Sequence, residues 1–457
     1  MRDSGRMLPA KATTGVGQGV AQSYWQRIGG MPLQQGSGTL PRSSRFVVIG
    51  GGFAGLATAL RMKELDPAAE IVLLEAKSVG YGASGRNGGL VSPLAAPVWL
   101  AAAMQDQSIA RAMRLLNRKA DDAARWANAT APHAEVTPTT LLLEAQGAVT
   151  NAGISQVARI LDRAEIEYRR FRPRDSKSIK PALAIDANTI NPYALVRGLA
   201  DAARQAGVEI VEGAPVKDIE QEQSGLRITL ADGRAITAER AVLCTNAYTP
   251  SLSFGEVPRA KVVYNYMIAT EQLSPSALER LATVSNGERP FVVELNTAYV
   301  FYRLHQGRLV FGGIEKSKQV APGDLDVPAS ILAGLDKLLG ETLSGAPKPA
   351  VAEAWGGRFH MTTTDLPIIG PSASVPSLVL NIGYGGTGVA LTLTLAPVAA
   401  ALALGRQIED AGLAEIHRAM RNTRLPLAGG VKFVAGVAGE YLRQLRERRN
   451  GHVSQGR

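Results

Sequence analysis

The run Val47-Val48-Ile49-Gly50-Gly51-Gly52-Phe53-Ala54-Gly55 decides the first part of the fold. Apolar residues give a strand, the spaced glycines a turn, and the Ala- and Leu-rich stretch after them a helix. Each glycine has its own task. Gly50 makes the tight turn, Gly52 lets backbone approach a pyrophosphate, and Gly55 packs helix against strand. A second apolar run, Ile71 to Leu74, ends at Glu75, whose carboxylate suits a ribose hydroxyl pair and disfavours a 2′-phosphate. Phosphate charge would rest on the helix N-terminus. The stretch reads as a dinucleotide-binding βαβ unit for NAD or FAD.

Composition bounds the remainder. A chain of 457 residues, 46% hydrophobic, has room for about three domains with ample core. Lys and Arg number 50 against 40 Asp and Glu, a net charge of +10, but the basicity is diffuse until Arg443 to Arg449. Without zinc-ligand spacing or a basic face interleaved with aromatics, nucleic acid is not an expected partner. One cysteine, Cys244, excludes an internal disulfide and fits a reducing compartment, the cytoplasm. Residues 1–43 read as a flexible extension without the apolar core of a secretory signal. An unanchored tail is the expected state there, with Ser23-Tyr24-Trp25 as the place where aromatics would dock if any did. The uncharged stretch Val389 to Gly405 is short for a bilayer and reads as a buried helix.

Further along, Ser108 to Ala129 and Ile154 to Ile166 have helical character. Tyr193 to Ala206, ended by Gly207, is a helix that leads into the strand Val208 to Val211, expected to pair in parallel with the first sheet. Leu226 to Leu230, Ala231-Asp232-Gly233 and Ala235 to Ala238 form a hairpin on an Asp-Gly turn. Ala241 to Cys244 then re-enters the sheet, placing Asn246 at the carboxyl edge where open α/β sheets bind ligands. Val262 to Thr270, Phe291 to Leu295, Ala298 to Leu304 and Arg308 to Phe311 read as a second, antiparallel sheet, with a helix from Ser330 to Leu343 on it.

Three further motifs complete the pattern. They are Gly80-Tyr81-Gly82-Ala83-Ser84-Gly85-Arg86-Asn87-Gly88-Gly89, Trp355-Gly356-Gly357-Arg358 with Asp365 to Gly370, and Gly383-Tyr384-Gly385-Gly386-Thr387-Gly388-Val389. With the first run, they make the chain resemble the D-amino-acid oxidase superfamily of flavoproteins, and within it the γ-glutamylputrescine-oxidase-like amine oxidoreductases. The resemblance spans residues 46–405.

It implies an α/β fold: a Rossmann-like FAD-binding domain with a discontinuous, mainly antiparallel-sheet substrate domain. The expected boundaries are 44–98, 188–256 and 352–405 for the first and 99–187 and 257–351 for the second. Residues 406–457 are expected to be a C-terminal helical segment. The implied cofactor is non-covalent FAD, because some relatives anchor flavin through a late cysteine and this chain has only Cys244. Cofactor-binding candidates are Gly50, Gly52, Phe53, Ala54, Gly55, Glu75, Ala76, Ser84, Arg86, Asn87, Gly88, Gly89, Val216, Asn246, Gly357, Gly383, Gly385, Gly386, Thr387 and Gly388. Arg86 either pairs with phosphate or substrate or forms a structural salt bridge, and Asn87 either meets the ring or holds its turn. The helix beginning near Gly388 would aim its positive end at the ligand and favour electron acceptance.

The reaction implied is oxidation of a primary or secondary amine, a polyamine derivative or amino acid, to an imine and then a carbonyl, with O2 reduced to H2O2. Two other readings stay open. One is a dehydrogenase serving a membrane quinone, for which the basic stretch Gly439 to Asn450 is the support. The other is a flavin-binding scaffold without turnover. Catalytic candidates are Tyr264, Tyr302, Arg303, Arg358 and His360. The tyrosines either wall the amine site or pack a core, Arg303 either holds a carboxylate or faces solvent, and strand alternation sends Tyr302 and Arg303 to opposite faces. The amino-acid oxidases of the superfamily carry a carboxylate-binding Arg where this chain has Phe359. The strand Gly307 to Gly313 also lacks the oxygen-activating lysine of some relatives, which leaves oxidase and dehydrogenase both open.

Overall fold

The computed structural model of the chain describes residues 22–29, 39–92, 106–145, 151–171, 182–256, 260–285, 287–295, 300–316, 326–362 and 366–423, with a few single residues between them. Its first sheet begins with β1 (Ser43–Ile49) and β2 (Ile71–Leu74), joined by α2 (Phe53–Leu65). A short helix, α1 (Tyr24–Ile28), precedes them. Positive φ at Gly50 turns β1 into α2, and a Cβ on Gly55 would lie 2.0 Å from the Gly50 carbonyl oxygen. Only a glycine permits this approach. Pro67 ends α2, because the residue before a proline is driven out of the helical region.

Around this unit lie β7 (Glu209–Val211), the hairpin β8 (Val216–Glu222) and β9 (Gly225–Leu230), β10 (Ala235–Leu243), β16 (Ile368–Pro371) and β17 (Leu378–Ile382). The sheet runs β16-β17-β10-β1-β2-β7, with β9 on the leading half of β10. The core strands β17, β10, β1, β2 and β7 are parallel. One face carries α2, α3 (Gln107–Thr130), α5 (Pro192–Gln205), α8 (Gly388–Ala403) and α9 (Ala411–Asn422). Asn191 caps α5 through its side chain, with Pro192 at the first helical position, and Asp410 caps α9. α8 is buried almost all round, which is the use to which its uncharged composition is put.

The second sheet contains β3 (Leu90–Val91), β4 (Thr137–Ala145), β5 (Arg169–Phe171), β6 (Ala182–Thr189), β11 (Ala260–Thr270), β12 (Phe291–Leu295), β13 (Val300–His305), β14 (Arg308–Lys316) and β15 (Val351–Thr362). Its order is β15-β11-β14-β13-β12-β4-β6-β3, antiparallel except where β12 meets β4. The face away from the first sheet packs Tyr264, Tyr266, Ile268, Tyr302 and Phe311 against Leu335 and Leu339 of α7 (Ala329–Thr342). α4 (Asn151–Arg163) lies on β4 and β6, and α6 (Pro275–Val284) completes the helices.

Four expectations need correction. Ser23, Tyr24 and Trp25 are fully buried, so residues 22–29 are not an unanchored tail. Their helix closes on a reciprocal Ser23–Gln26 cap, and both aromatics bury large apolar surface. β15 lies within the segment assigned to the FAD-binding domain, yet it pairs with β11 over its whole length and belongs to the second sheet. β3 likewise pairs with β6. α3, assigned to the substrate domain, packs its stripe of Met113, Leu116, Ala120 and Ala124 on the helices of the first. Residues 439–450, the basic stretch, lie outside the described residues.

Gly55→Ala is expected to cost about 1–3 kcal/mol through the overpacked contact with Gly50. Thermal unfolding should show a Tm lower by several degrees, and an unchanged Tm would contradict the contact.

Candidate active site

A cavity whose empty space, open solvent at its mouth included, is ≈1210 Å³ lies between the two sheets. All four glycine-bearing motifs reach it. The first contributes Gly52, Phe53 and Ala54, and the second Ala83, Ser84, Arg86, Asn87, Gly88 and Gly89. Gly357 and Arg358 come from β15, and Gly385, Gly386 and Gly388 from the turn into α8. Cys244 and Asn246 complete the edge of the first sheet. The opposite wall is Met267, Phe291, Val293 and Phe301, with Asn265 and Glu315 nearer the mouth.

The strand ends explain this gathering. Ile49 pairs with Leu243 and Leu243 with Leu380, so the turns after β1, β10 and β17 leave the sheet at one edge. The Asn246 side chain, on a backbone with φ +43°, accepts from the Gly383 amide at 3.0 Å. Gly383 has φ +83°, and a Cβ there would meet Thr362 Cγ2 at 2.5 Å.

The second motif is an internally braced turn. Asn87 Nδ2 donates to the carbonyls of Ala83 and Ser84 at 3.1 Å each, and its Oδ1 accepts from Gly89 N at 2.8 Å. Asn87 therefore holds the turn. Arg86 is buried, donates from Nε to the Tyr81 carbonyl at 2.8 Å, and gives its own carbonyl to Trp355 Nε1 at 2.9 Å. Ser84 Oγ accepts from the Phe53 amide at 2.9 Å, tying this turn to the start of α2. From outside, Ser23 Oγ donates to the Gly85 carbonyl at 2.7 Å and Trp25 Nε1 to the Asn87 carbonyl at 2.8 Å.

Glu75 stands beside the first turn, accepting from the amides of Gly51 at 2.8 Å and Lys77 at 2.9 Å. Burial raises its pKa, and those two hydrogen bonds oppose the rise. Ala76 is exposed next to it, and Val216 opens β8; neither lines the cavity. Cys244 does, but burial pushes its thiol up to about 12, while Asn381 Nδ2 donates to Sγ at 3.6 Å.

Of the five catalytic candidates, the structure brings only Arg358 to the cavity, with its guanidinium 3.9 Å from the Tyr248 ring centre. Tyr264 and Tyr302 sit on the far face of the second sheet, in the core under α7. Their neighbours in sequence, Asn265 and Phe301, take the cavity side by alternation. Arg303 does face the opposite way from Tyr302, but it is buried as a brace. It donates to the Ile190 carbonyl at 2.8 Å and the Gly89 carbonyl at 3.5 Å, and lies 4.7 Å from the Trp25 ring centre. Burial pushes its guanidinium down to about 10. His360, one residue past the cavity-lining Phe359, is buried opposite Val262, and burial holds it below its ordinary value. Asn265, Met267, Phe291, Val293, Phe301 and Glu315 were not singled out, because each is one member of an alternating strand whose facing a single sequence does not declare.

The residues present suit a dinucleotide. A Cβ on Gly52 would fall 2.8 Å from Ser84 Oγ, so only glycine leaves the start of α2 open to the cavity. The N-cap of α8, Thr387, makes no capping bond, and its Oγ1 is buried without a partner among the described residues. Two helix N-termini thus converge on one cavity, and the unpaired Thr387 hydroxyl lies between the cavity-lining Gly386 and Gly388 in sequence.

Residues 45–405 match the family described as FAD dependent oxidoreductase. The chain belongs to that family. Probable oxidoreductase OrdL from Rhizobium meliloti is 27% identical over 392 residues, covering 83% of this chain and 86% of the relative. Gamma-glutamylputrescine oxidoreductase from Escherichia coli is 26% identical over 369 residues, covering 76% and 80%. The crystal structure of L-proline dehydrogenase from P. horikoshii matches the fold with a TM-score of 0.66 at 16% identity, covering 80% of this chain and 95% of that one. FAD is accordingly the cofactor of this chain.

Trp25→Ala removes the donor to Asn87 and the ring beside Arg303. It is expected to cost about 3–5 kcal/mol and to lower the temperature at which flavin fluorescence is released. Release at the wild-type temperature would show that α1 does not brace the second motif.

Proposed function

We propose that this chain uses FAD to oxidise a primary or secondary amine or an amino acid to an imine, which water hydrolyses to a carbonyl. The observation that carries the reading is the cavity itself: glycine turns and helix ends on one side, an apolar wall on the other. FAD, when bound, supplies the chemistry by taking two electrons and a hydrogen from the carbon that bears the nitrogen. Gly52, Phe53, Ala54 and Ser84 would hold its pyrophosphate at the start of α2, with Gly50 and Gly55 shaping that turn. Glu75 and Ala76 would meet the ribose, and Val216 the adenine end. Gly88, Gly89, Asn246, Gly357, Gly385, Gly386 and Gly388 would bring backbone to the ring. In this reading FAD is non-covalent, since the lone Cys244 is a protonated, hydrogen-bonded thiol. Its presence as the sole cysteine fits the cytoplasm.

Met267, Phe291, Val293 and Phe301 exclude water and favour an uncharged amine over an ammonium. Among the described cavity residues there is no histidine or lysine to remove a proton. Tyr384 donates its hydroxyl to Asn381 and burial raises its pKa, so it is no base either. With Glu315, exposed at the mouth, as the one carboxylate of the described lining, the substrate in this reading arrives deprotonated. Its neutral fraction grows about tenfold per pH unit below an amine pKa of roughly 10, so flavin reduction should accelerate from pH 7 to pH 9. A flat profile would oppose the neutral-amine reading.

The deciding experiment mixes the FAD-loaded protein anaerobically with primary amines, N-methyl amines and amino acids while flavin absorbance is followed. Bleaching by one class names the substrate, and recolouring in air with H2O2 release identifies O2 as the acceptor. Bound FAD that no class bleaches would sink the proposal. Gly52→Val should give a folded protein without yellow colour, and acid precipitation of the wild type should leave the colour in solution.

A further inference from the structure

Two helices cover the far face of the second sheet, and they cover it differently. α7 packs directly on Tyr266, Phe311 and their neighbours, whereas α6 stands over β4, β12 and β13 with a second cavity beneath it. The empty space there, open solvent at its mouth included, is ≈960 Å³. Strand register makes its floor: Leu142, Val292 and Tyr302 lie abreast on β4, β12 and β13. Leu278 and Leu281 of α6 form the roof. Alternation sends the chain neighbours of the floor residues, Phe291, Val293 and Phe301, into the flavin cavity instead. The two cavities therefore lie on opposite faces of one sheet.

Two polar atoms of the second cavity have no partner among the described residues. Tyr302 is only 7% exposed and stacks on Phe311 at 5.8 Å between ring centres, yet its hydroxyl makes no hydrogen bond. Glu288, at the rim, meets Arg169 Nη1 through Oε1 at 3.6 Å, and its Oε2 is buried and unpaired. The loop that presents Glu288 is fixed, because Ser285 Oγ donates to the Glu288 carbonyl at 2.6 Å and the Glu288 amide to the Ser285 carbonyl at 3.0 Å. Beside Tyr302, Glu144 and Glu294 stand abreast on β4 and β12, both buried. Burial, and after it these two carboxylates, hold the phenol well above its ordinary pKa, so it stays protonated. In the described lining Glu144, Glu279 and Glu288 outnumber the one base, Arg289. An unpaired carboxylate oxygen and a neutral hydroxyl at an apolar cavity suit a ligand that brings N–H donors and positive charge.

We propose that this second cavity is a binding site for a hydrophobic organic cation, separate from the flavin site. The N–H groups of the cation donate to Glu288 Oε2 and to the Tyr302 oxygen, and its apolar body lies between the roof leucines and the floor of Leu142 and Val292. A neutral ligand leaves the site's excess of acid unanswered, and an anion is repelled by it. The site does not depend on which compound the flavin oxidises. Its occupant would nevertheless sit behind working parts of the flavin cavity, since Tyr302 is flanked on β13 by Phe301 of the apolar wall and by Arg303, which holds the Gly89 carbonyl.

The test titrates the FAD-loaded protein calorimetrically with benzamidine, neutral benzamide and anionic benzoate while flavin absorbance is followed. Benzamidine is the probe because its nitrogen-bearing carbon carries no hydrogen, so it cannot be oxidised as an amine. It should bind about tenfold or more tightly than benzamide, benzoate should not bind, and the flavin spectrum should stay unchanged. Glu288→Gln should erase the preference for the cation. Tyr302→Phe should weaken benzamidine by about threefold, and Ala282→Trp, at the exposed edge of the roof, should block it. Full FAD content of each variant serves as the check on folding. No binding of benzamidine, binding without preference over benzamide, or binding that any of the three variants leaves intact overturns the site. Binding that shifts the flavin spectrum places the probe in the flavin cavity and also overturns it.

Discussion

The parallel register of β1, β10 and β17 is the constraint on which the site depends. These strands are separated by most of the chain, yet Val48, Val242 and Val379 lie abreast. Their carboxyl ends release three turns at one edge. A buried polar node fastens the arrangement: Asn381 donates to Thr58 Oγ1 at 3.1 Å and to Cys244 Sγ at 3.6 Å, and accepts from the Tyr384 hydroxyl. One amide thereby joins α2, β10, β17 and the turn into α8. Such a node is stable only when every member is present, because an unsatisfied polar group in this interior is costly.

The second sheet supplies what the first lacks. A doubly wound sheet offers backbone amides and helix ends but little apolar wall above the ligand. Met267, Phe291, Val293 and Phe301 provide that wall, and the far face of the same strands is anchored by the core under α7. Cavity-facing and structural side chains thus alternate along β11 to β13.

That alternation explains what was legible in the sequence. The βαβ unit could be read because Gly50, Gly52 and Gly55 each answer a different steric demand, and the Asp232-Gly233 turn because few residues accept its φ. The buried helix at α8 followed from its composition. Facing did not follow: Tyr264 and Tyr302 are as plausible on either side until a neighbouring strand sets the register. The position of Glu315 was hidden further by a bulge at Ile314, φ +62°, where a period-two reading gives the opposite answer. β15 was assigned to the wrong domain because its Trp355 to Arg358 stretch does reach the cofactor cavity, while its hydrogen bonds belong to the second sheet. The docking of α1 depends on Arg303, His305 and Glu353, none of them near it in sequence.

That docking bears on assembly. Tyr24 bonds His305 Nδ1 at 2.8 Å, Arg27 pairs with Glu353, and Trp25 stacks edgewise on His305. All of these partners are made long after α1 leaves the ribosome, since synthesis runs from the N-terminus. A segment made early can bond the carbonyls of Gly85 and Asn87 at once, but must wait for β13 and β15 to complete its contacts. Contacts of such sequence separation form slowly, because the loop must be closed before they contribute. The full set of α1 contacts thus closes only once β13 and β15 exist.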